Sequence, residues 1–306
     1  MRRLRFFDRR PDEWRTMNAL PMSESDRPSV RWRVARSRPV VLALGGLDPS
    51  GGAGIVMDAR AIAAAGAHPA IIATALTVQS TAGCRDVEPI PAEFVRAQLD
   101  HLIATQNPAV VKVGALGSGA VAQVVADFIA ECTCPVVVDP VAVASVTLDD
   151  GVGRPLASEE ARAVLRDRII PRGVIVCANG PELEALTGIA ASDGASATLA
   201  ARALIAKGAR AVYAKAGHWA TADASDVLVF DDATHVLAAP RLDVADVHGT
   251  GCTLASLLAG RLALVPDPSN AAIVEAARWA KSFLFRALES PIVVGEGQRV
   301  VRIERE

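Results

Sequence analysis

The segment from Asp246 to Cys252, Asp-Val-His-Gly-Thr-Gly-Cys, combines residue types that could act on an anionic ligand. An apolar run from Thr253 to Leu264 follows at once and predicts a buried helix. Two glycines at the start of this helix would let the amides of residues 249–252 face a ligand, and the positive end of the helix dipole favours an anion there. Cys252 would lie at the same point, where a helix N-terminus is expected to lower the pKa of a thiol.

These residues alone leave two roles open for Cys252. A thiol with a lowered pKa can be the nucleophile of an acyl transfer or a proton acceptor beside an oxyanion site. The chain has no motif that pairs Cys252 with a histidine, whereas Asp139, Asn179, Glu182 and Lys215 stand upstream. A lysine, an anion site and carboxylates able to hold magnesium fit phosphoryl transfer, which depends on positioning and charge neutralisation. Asn179 and Glu182 could equally be the cap and the first-turn acid of a helix.

Alternating strand and helix patterns predict how these groups are positioned. Apolar runs of strand length begin near Pro39, Ala70, Ala109, Pro135, Val174 and Ala209, with helical stretches between them. This alternation predicts an α/β fold, with a central and mostly parallel sheet flanked by helices. A hairpin over residues 226–239 would form a small edge. Ligands of such sheets bind beyond the carboxyl ends of the strands, where the candidate residues fall.

The composition bounds the domain organisation. The chain has 306 residues, of which 51% are hydrophobic, and we predict a single domain over residues 39–306. Residues 1–38 hold eleven arginines and predict a disordered extension. An upstream start codon, with Met17 or Met22 as the true first residue, would account for the same composition, and a nucleic-acid-binding arm is the functional alternative. Residues 140–157 have the composition of a loop, either a mobile lid or a plain connection.

Charge and cysteine usage exclude several classes of protein. The net charge of -2 gives no reason to expect nucleic acid or an anionic membrane as partner. The chain has no apolar run of the length that a membrane span requires and no apolar leader after its first residues. Its five cysteines form no C-x-x-C pair, which predicts reduced thiols in a cytoplasmic protein without a zinc cage.

Five motifs occur in an order that resembles one known family. They are Gly46-Leu-Asp-Pro-Ser-Gly-Gly-Ala-Gly-Ile55, Thr74-Ala-Leu-Thr-Val-Gln79, Val138-Asp-Pro-Val141, Asn179-Gly-Pro-Glu182 and His248-Gly-Thr-Gly-Cys-Thr253. The chain resembles the hydroxymethylpyrimidine/phosphomethylpyrimidine kinases of the ribokinase-like fold over residues 39–298. The resemblance implies ATP-dependent phosphorylation of 4-amino-5-hydroxymethyl-2-methylpyrimidine, and then of its monophosphate, in thiamine biosynthesis. It also implies a homodimer.

The resemblance assigns a role to each matching position. Cys252 would accept the proton of the attacking hydroxyl, while Gly249, Thr250 and Gly251 hold the developing charge of the phosphoryl group. The residues implied to lie near the nucleotide phosphates are Asp139, Asn179, Glu182 and Lys215, with Mg2+ held mainly by phosphates and waters near Asp139 and Glu182. The residues implied to surround the pyrimidine are Gly46, Asp58, Gln79, Ala115 and Val141. Ala115 departs from the family pattern, which commonly has a methionine there.

Two alternative functions stay open on the sequence. The first is a kinase of the same fold that acts on pyridoxal or another hydroxymethyl heterocycle, since both substrates are flat rings with a primary alcohol. The second is a pyrimidine-binding sensor that lacks phosphoryl transfer, although the intact Gly-Thr-Gly-Cys segment speaks against it.

Overall fold

A computed structural model of the chain describes residues 38–141, 143, 154–219, 222–244 and 247–303. Residues 1–37 of the predicted extension over 1–38 and most of the loop over 140–157 lie outside these ranges, as does Asp246. The predictions made for them therefore stay predictions.

Nine strands of the described residues pair into one sheet in the order β3-β2-β1-β4-β5-β6-β7-β8-β9. Their bounds are β1 Val40–Leu47, β2 His68–Ser80, β3 Gly83–Pro89, β4 Pro108–Val113, β5 Val136–Val138, β6 Ile175–Asn179, β7 Ala211–Lys215, β8 Asp226–Val229 and β9 Thr234–Leu237. Strands β2, β1, β4, β5, β6 and β7 run parallel, and the three others pair antiparallel at the two edges. The predicted mostly parallel sheet with an edge hairpin is confirmed.

Helices cover both faces of this sheet. Their bounds are α1 Gly54–Ala64, α2 Ala92–Ile103, α3 Gly119–Glu131, α4 Glu159–Val164, α5 Gly180–Thr187, α6 Gly194–Ala206, α7 Thr250–Leu262 and α8 Asn270–Glu289. Side chains from α2 to α6 form the apolar core on one face, and those from α1, α7 and α8 form the core on the other. No helix in the described part of the chain has the length and apolar character that crossing a lipid bilayer requires.

The central strands are apolar on both sides because each face is covered. In β1, Leu42 and Leu44 pack into the core of α2 to α6, whereas Val41 and Ala43 pack into the core of α1, α7 and α8. Successive side chains of a strand point to opposite faces, so a strand buried on both faces reads as a continuous apolar run. This is why β1 could be recognised in the sequence.

The structure differs from the sequence prediction in three elements. Helix α7 begins at Thr250, three residues before the apolar run, so Gly251 and Cys252 belong to its first turn. Strand β3 was not predicted, because Gly83-Cys-Arg-Asp-Val-Glu-Pro89 lacks an apolar run and lies at an exposed edge. A second sheet pairs β10, Val247–His248, with β11, Arg299–Val300, and so braces the segment that precedes α7.

Helices α1 and α7 pack at unusually close range through Gly260. A Cβ at this position would lie 2.7 Å from Ala65 Cβ and 3.2 Å from the Ile62 backbone. Any side chain at residue 260 would therefore push the two helices apart.

We expect Gly260→Ala to lower the free energy of unfolding by about 1–3 kcal/mol, because the added methyl group overpacks the contact between α1 and α7. Urea denaturation followed by circular dichroism measures this loss. Gly194→Ala is the matched control, since its Cβ would lie an ordinary 3.5 Å from Val227 Cγ2. Equal midpoints for the two variants would contradict the close contact.

Candidate active site

One cavity of about 640 Å3 lies at the carboxyl edge of the parallel strands. Parallel strands end at the same edge of a sheet, so residues far apart in the sequence meet there. Every residue that the sequence analysis assigned to the site lines this cavity: Gly46, Asp58, Gln79, Ala115, Asp139, Val141, Asn179, Glu182, Lys215, Gly249, Thr250, Gly251 and Cys252. The structure thus brings the predicted residues together in one cavity.

The first turn of α7 lines the cavity and presents a candidate anion site. Gly249 has a φ of 80°, and a Cβ there would overlap the Gly52 carbonyl, so only glycine fits this position. The amide and the hydroxyl of Thr253 both donate to the Gly249 carbonyl, which fixes the turn. The preceding amides, those of Thr250, Gly251 and Cys252, belong to the group that an α-helix leaves without intrahelical partners. They supply the donors and the positive dipole end that an anion requires.

The Cys252 thiol lies where two helices begin, but its pKa is not lowered as the sequence predicted. Burial raises the pKa of Cys252 above the ordinary value of a thiol, and the nearby carboxylates of Asp139 and Asp58 raise it further. The Lys112 ammonium and the backbone N–H of Gly54, the first residue of α1, act in the opposite direction and are outweighed. The prediction of a lowered pKa is therefore wrong, because it counted the helix dipole and not the burial.

Lys215 lies between two carboxylates beside the anion site. Its Nζ is 3.0 Å from Asp139 Oδ1 and 3.2 Å from Glu182 Oε2, and a Cβ at Gly251 would lie 3.1 Å from it. Burial lowers the pKa of Lys215, but the charges of Asp139 and Glu182 outweigh it and raise the pKa above its ordinary value. Lys215 therefore carries its charge at the mouth of α7, next to the free amides.

A second buried lysine, Lys112 on β4, was missed by the sequence analysis. Its Nζ donates to both carboxylate oxygens of Asp58 at 3.0 Å and lies 3.9 Å from Asp139 Oδ2. Ser256 on α7 also donates to Asp58 Oδ1 at 2.7 Å. Asp58 was predicted to contact the pyrimidine, yet it is fully buried at the floor of the cavity and its oxygens already accept from Lys112 and Ser256. A lysine inside an apolar strand and an aspartate on an apolar helix were signals of such a pair.

Asn179 and Glu182 form a capping box at the start of α5. Asn179 Oδ1 accepts from the Glu182 amide at 2.9 Å, and Glu182 Oε2 accepts from the Asn179 amide at 2.7 Å. Asn179 therefore caps the helix, which was the structural alternative to a role at the nucleotide phosphates. Glu182 does more than cap the helix, since the same Oε2 contacts Lys215, and burial raises the pKa of its carboxyl group.

The carboxylates of Asp139 and Glu182 could contribute to a magnesium site in which waters and phosphate oxygens are the other ligands. Asp139 Oδ2 is buried and has no hydrogen-bond partner among the described residues. No group of three or more acidic, histidine or cysteine side chains in those residues could enclose a metal ion. Mg2+ characteristically binds through one or two carboxylates together with waters and phosphate oxygens. Asp139 and Glu182 supply such a partial set.

A slot with small walls opens beside Cys252. Gly46 and Ala115 lie side by side on one wall of it, since a Cβ at Gly46 would lie an ordinary 3.8 Å from Ala115 Cβ. Val141 and the side chain of Gln79 line the same region. Gln79 reaches it through an irregularity in the pairing of β2 with β3 between Val78 and Gln79, which re-aims the side chain. A flat ligand could lie with one face against this wall, because it carries few side-chain atoms.

The opposite end of the cavity is apolar and was not predicted from the sequence. Leu284, Phe285 and Leu288 of α8 line it, together with Lys281. Lys281 Nζ is held by Asp226 Oδ2 at 2.7 Å, which joins α8 to the start of β8. A helix periodicity identifies α8 as amphipathic but does not reveal that part of its apolar face lines a cavity.

The sequence profile described as phosphomethylpyrimidine kinase matches residues 48–302 of this chain. The chain belongs to the phosphomethylpyrimidine kinase family. It is therefore a phosphotransferase, and the family and the enzyme class predicted from the sequence are confirmed.

Relatives of this kinase align over most of its length. The hydroxymethylpyrimidine/phosphomethylpyrimidine kinase of Haemophilus influenzae is 35% identical over 262 residues, which span 84% of this chain and 93% of that protein. Its counterpart in Escherichia coli is 35% identical over 260 residues, or 84% of this chain and 94% of that protein. A thiamine biosynthetic bifunctional enzyme of Arabidopsis thaliana is 33% identical over 295 residues, which span 94% of this chain and 53% of that enzyme.

Solved structures confirm the ribokinase-like fold of this kinase. The phosphomethylpyrimidine kinase of Clostridium difficile superposes with a TM-score of 0.69 at 27% identity, covering 82% of this chain and 99% of that one. The ADP complex of Bacillus subtilis pyridoxal kinase superposes with a TM-score of 0.76 at 24% identity, covering 87% and 97%. The second likeness concerns the fold alone.

We expect Lys112→Met to lower the free energy of unfolding of the kinase by about 3–5 kcal/mol, because Asp58 is left as a buried charge without its partner. Urea denaturation measures the loss. The double variant Asp58→Asn with Lys112→Met is the control, since it removes both charges and should recover part of the stability. A double variant that is less stable than Lys112→Met would refute this account of the pair.

Iodoacetamide should alkylate Cys134 before Cys252 in the ligand-free kinase at pH 8. Both side chains are partly accessible, but a hydrogen bond with Cys132 lowers the pKa of Cys134, whereas burial raises that of Cys252. Only the thiolate reacts, so labelling of Cys252 should increase with pH beyond pH 9. Mass spectrometry of peptides after timed labelling measures both rates, and faster labelling of Cys252 at pH 8 would contradict the raised pKa.

Proposed function

We propose that this kinase transfers the γ-phosphoryl group of ATP to 4-amino-5-hydroxymethyl-2-methylpyrimidine, and then to its monophosphate, in thiamine biosynthesis. The family and the names of the aligned relatives support this substrate. The carrying observation is the order of groups along one cavity. A flat slot, a thiol with an anion site, and a lysine between two carboxylates follow each other, and an apolar end lies beyond them.

The cavity accommodates the two substrates end to end. The ring occupies the slot with one face against Gly46 and Ala115, and its hydroxymethyl group is directed at Cys252. The nucleotide base occupies the apolar end beside Phe285 and Leu288, and the phosphates lie against Lys215 and the first turn of α7. This arrangement places the acceptor hydroxyl and the phosphoryl group on either side of the same three amides.

Each group then has one task in the transfer. The amides of Thr250, Gly251 and Cys252 stabilise the charge that develops on the transferring phosphoryl group, and Lys215 neutralises its oxygens. The Cys252 sulfur accepts the proton of the attacking hydroxyl. Because the pKa of this thiol is raised, the deprotonated form that can act as base grows with pH over the neutral range.

Magnesium is the remaining component of the proposal. Asp139 and Glu182 would hold the ion, directly or through waters, and the ion would neutralise phosphate charge that Lys215 alone does not balance. Asp139 Oδ2 supports this placement, because it accepts no hydrogen bond among the described residues and its ion pair with Lys112 is a long one of 3.9 Å.

The substrate is tested by assaying the purified kinase with Mg-ATP and each candidate ring. We expect turnover of the aminopyrimidine and of its monophosphate, with kcat/KM for pyridoxal at least about tenfold lower, since one mismatched polar contact costs roughly 1–3 kcal/mol. Brisk turnover of pyridoxal without turnover of the pyrimidine would replace this function with that of a pyridoxal kinase.

The role of Cys252 is tested by Cys252→Ala. We expect kcat to fall by about 10²–10⁴-fold, the usual contribution of a positioned proton acceptor, while calorimetric binding of the pyrimidine is largely retained. Cys177→Ala serves as the control, because this thiol is buried in the core and burial raises its pKa to about 12. Unchanged turnover of Cys252→Ala would refute the assignment, and binding without turnover in the wild-type protein would favour the sensor.

The proposal also covers the extent of the domain, the location of the protein and its oligomeric state. Residues 39–306 form one kinase domain, the protein is cytoplasmic, and it acts as a homodimer. The exposed apolar side chains of Leu76 and Val78 on β2 support a contact between two copies.

A further inference from the structure

Asp48 is a junction between three parts of the chain at the wall of the slot. Its Oδ2 accepts from the Ala53 amide at 3.0 Å and contacts His248 Nε2 at 2.7 Å, and Gln79 Nε2 lies 3.4 Å from the same oxygen. Oδ1 accepts from the Ser50 amide at 2.8 Å. The carboxylate therefore links the loop before α1, the end of β2 and the segment before α7.

The junction is buried and fixed in position. Side-chain exposure is 4% for Asp48 and 1% for His248. Burial raises the pKa of Asp48, but the hydrogen bonds from His248 and Ser50 outweigh it and hold the pKa below its ordinary value. Asp48 is therefore an ionised acceptor at neutral pH.

The carboxylate decides which end of the Gln79 amide faces it. An ionised carboxylate accepts hydrogen bonds and repels a carbonyl oxygen, so the amide nitrogen must be the atom that lies toward Asp48. At 2.7 Å the Nε2 proton of His248 is directed at Asp48, so His248 does not compete as an acceptor for Gln79, although the two nitrogens are 3.2 Å apart. One N–H of Gln79 is thereby used. The second N–H and the carbonyl oxygen remain for a ligand.

We propose that Asp48 and His248 are positioning residues that lock the Gln79 amide in one orientation and so select a ring with an amino group beside its hydroxymethyl group. This inference rests on the proposed function, because it takes Gln79 as the residue that contacts the ring. The locked amide offers an acceptor at the side away from Asp48 and a donor at the side near it. The aminopyrimidine matches this pattern, since its amino group donates and the adjacent ring nitrogen accepts.

The competing rings present a different pattern. The 4-oxo analogue of the same pyrimidine reverses it, because its carbonyl accepts and its N3–H donates. Pyridoxal carries an aldehyde oxygen beside its hydroxymethyl group. Each ring places an acceptor where the Gln79 carbonyl oxygen also accepts, so the two acceptors face each other without a hydrogen bond. An amide free to rotate would tolerate either pattern.

The test compares the amino and 4-oxo pyrimidines as substrates of the wild-type kinase and of Asp48→Asn. We expect the wild type to prefer the amino ring by about 10- to 100-fold in kcat/KM, since a mispaired polar contact costs roughly 1–3 kcal/mol and each 1.4 kcal/mol is tenfold. In Asp48→Asn the amide can rotate, so the ratio should fall to within about threefold. The change should appear mainly in KM for the ring, with KM for ATP kept.

Ser50→Ala is the matched control. It removes the Ser50 hydroxyl, which accepts from the Gly52 amide and helps to lower the pKa of Asp48, but it keeps the Ser50 amide bond to Oδ1 and the contacts of Oδ2 with His248 and Gln79. It should keep the wild-type ratio. Equal losses for both rings in Asp48→Asn would mean that the junction only supports the fold, and would overturn the proposal. Calorimetric binding of each ring without ATP measures the same ratio independently of turnover.

A wild-type complex with the aminopyrimidine decides the question even if Asp48→Asn does not fold. We expect the ring nitrogen on the side of Gln79 near Asp48 and the amino group on the side away from it. The reversed ring would overturn the proposal. The outcome also separates this inference from the proposed function. A kinase that phosphorylates the amino and 4-oxo pyrimidines equally would have the proposed function but not the proposed selection between the rings.

Discussion

A row of alternating buried charges holds the active site together. Asp58, Lys112, Asp139, Lys215 and Glu182 follow one another, with separations of 3.0, 3.9, 3.0 and 3.2 Å between successive charged atoms. Charges are costly to bury unless each one has a partner, so every member fixes its neighbours. The members come from α1, β4, the end of β5, β7 and α5. Their mutual dependence therefore fixes the relative positions of five elements at the carboxyl edge of the sheet.

The sheet was predictable because each of its central strands is marked by a short apolar run in the sequence, and this pattern is repeated along the chain. Each central strand is buried on both faces and reads as an apolar run, and four of the helices between the strands, α3 to α6, begin with side-chain caps. Strand β3 escaped prediction because an edge strand needs no apolar run. The start of α7 was placed too late because Gly251 and Cys252 have low helix propensity and yet lie in a turn that tertiary contacts stabilise.

The anion site was predictable for the same reason, since Gly249, Gly251 and Cys252 are neighbours in sequence. The pairing of Asp58 with Lys112 was not, because it depends on the depth and register of a helix and a strand that are 54 residues apart. The pKa of Cys252 was misjudged on similar grounds. A helix N-terminus is visible in a sequence, whereas burial and the carboxylates brought close by other strands are not.

The long separations across the cavity have a consequence for how the protein matures. Asp48 contacts His248 over 200 positions of sequence, and Lys215 contacts Asp139 over 76. Loops of this length close late in folding, after local structure has formed. The N-terminal strands can pair as soon as they leave the ribosome, but the slot gains its wall and its anion site only when β10 and α7 have been synthesised and docked. The protein can therefore bind its ligands only after these last elements have been synthesised and have folded.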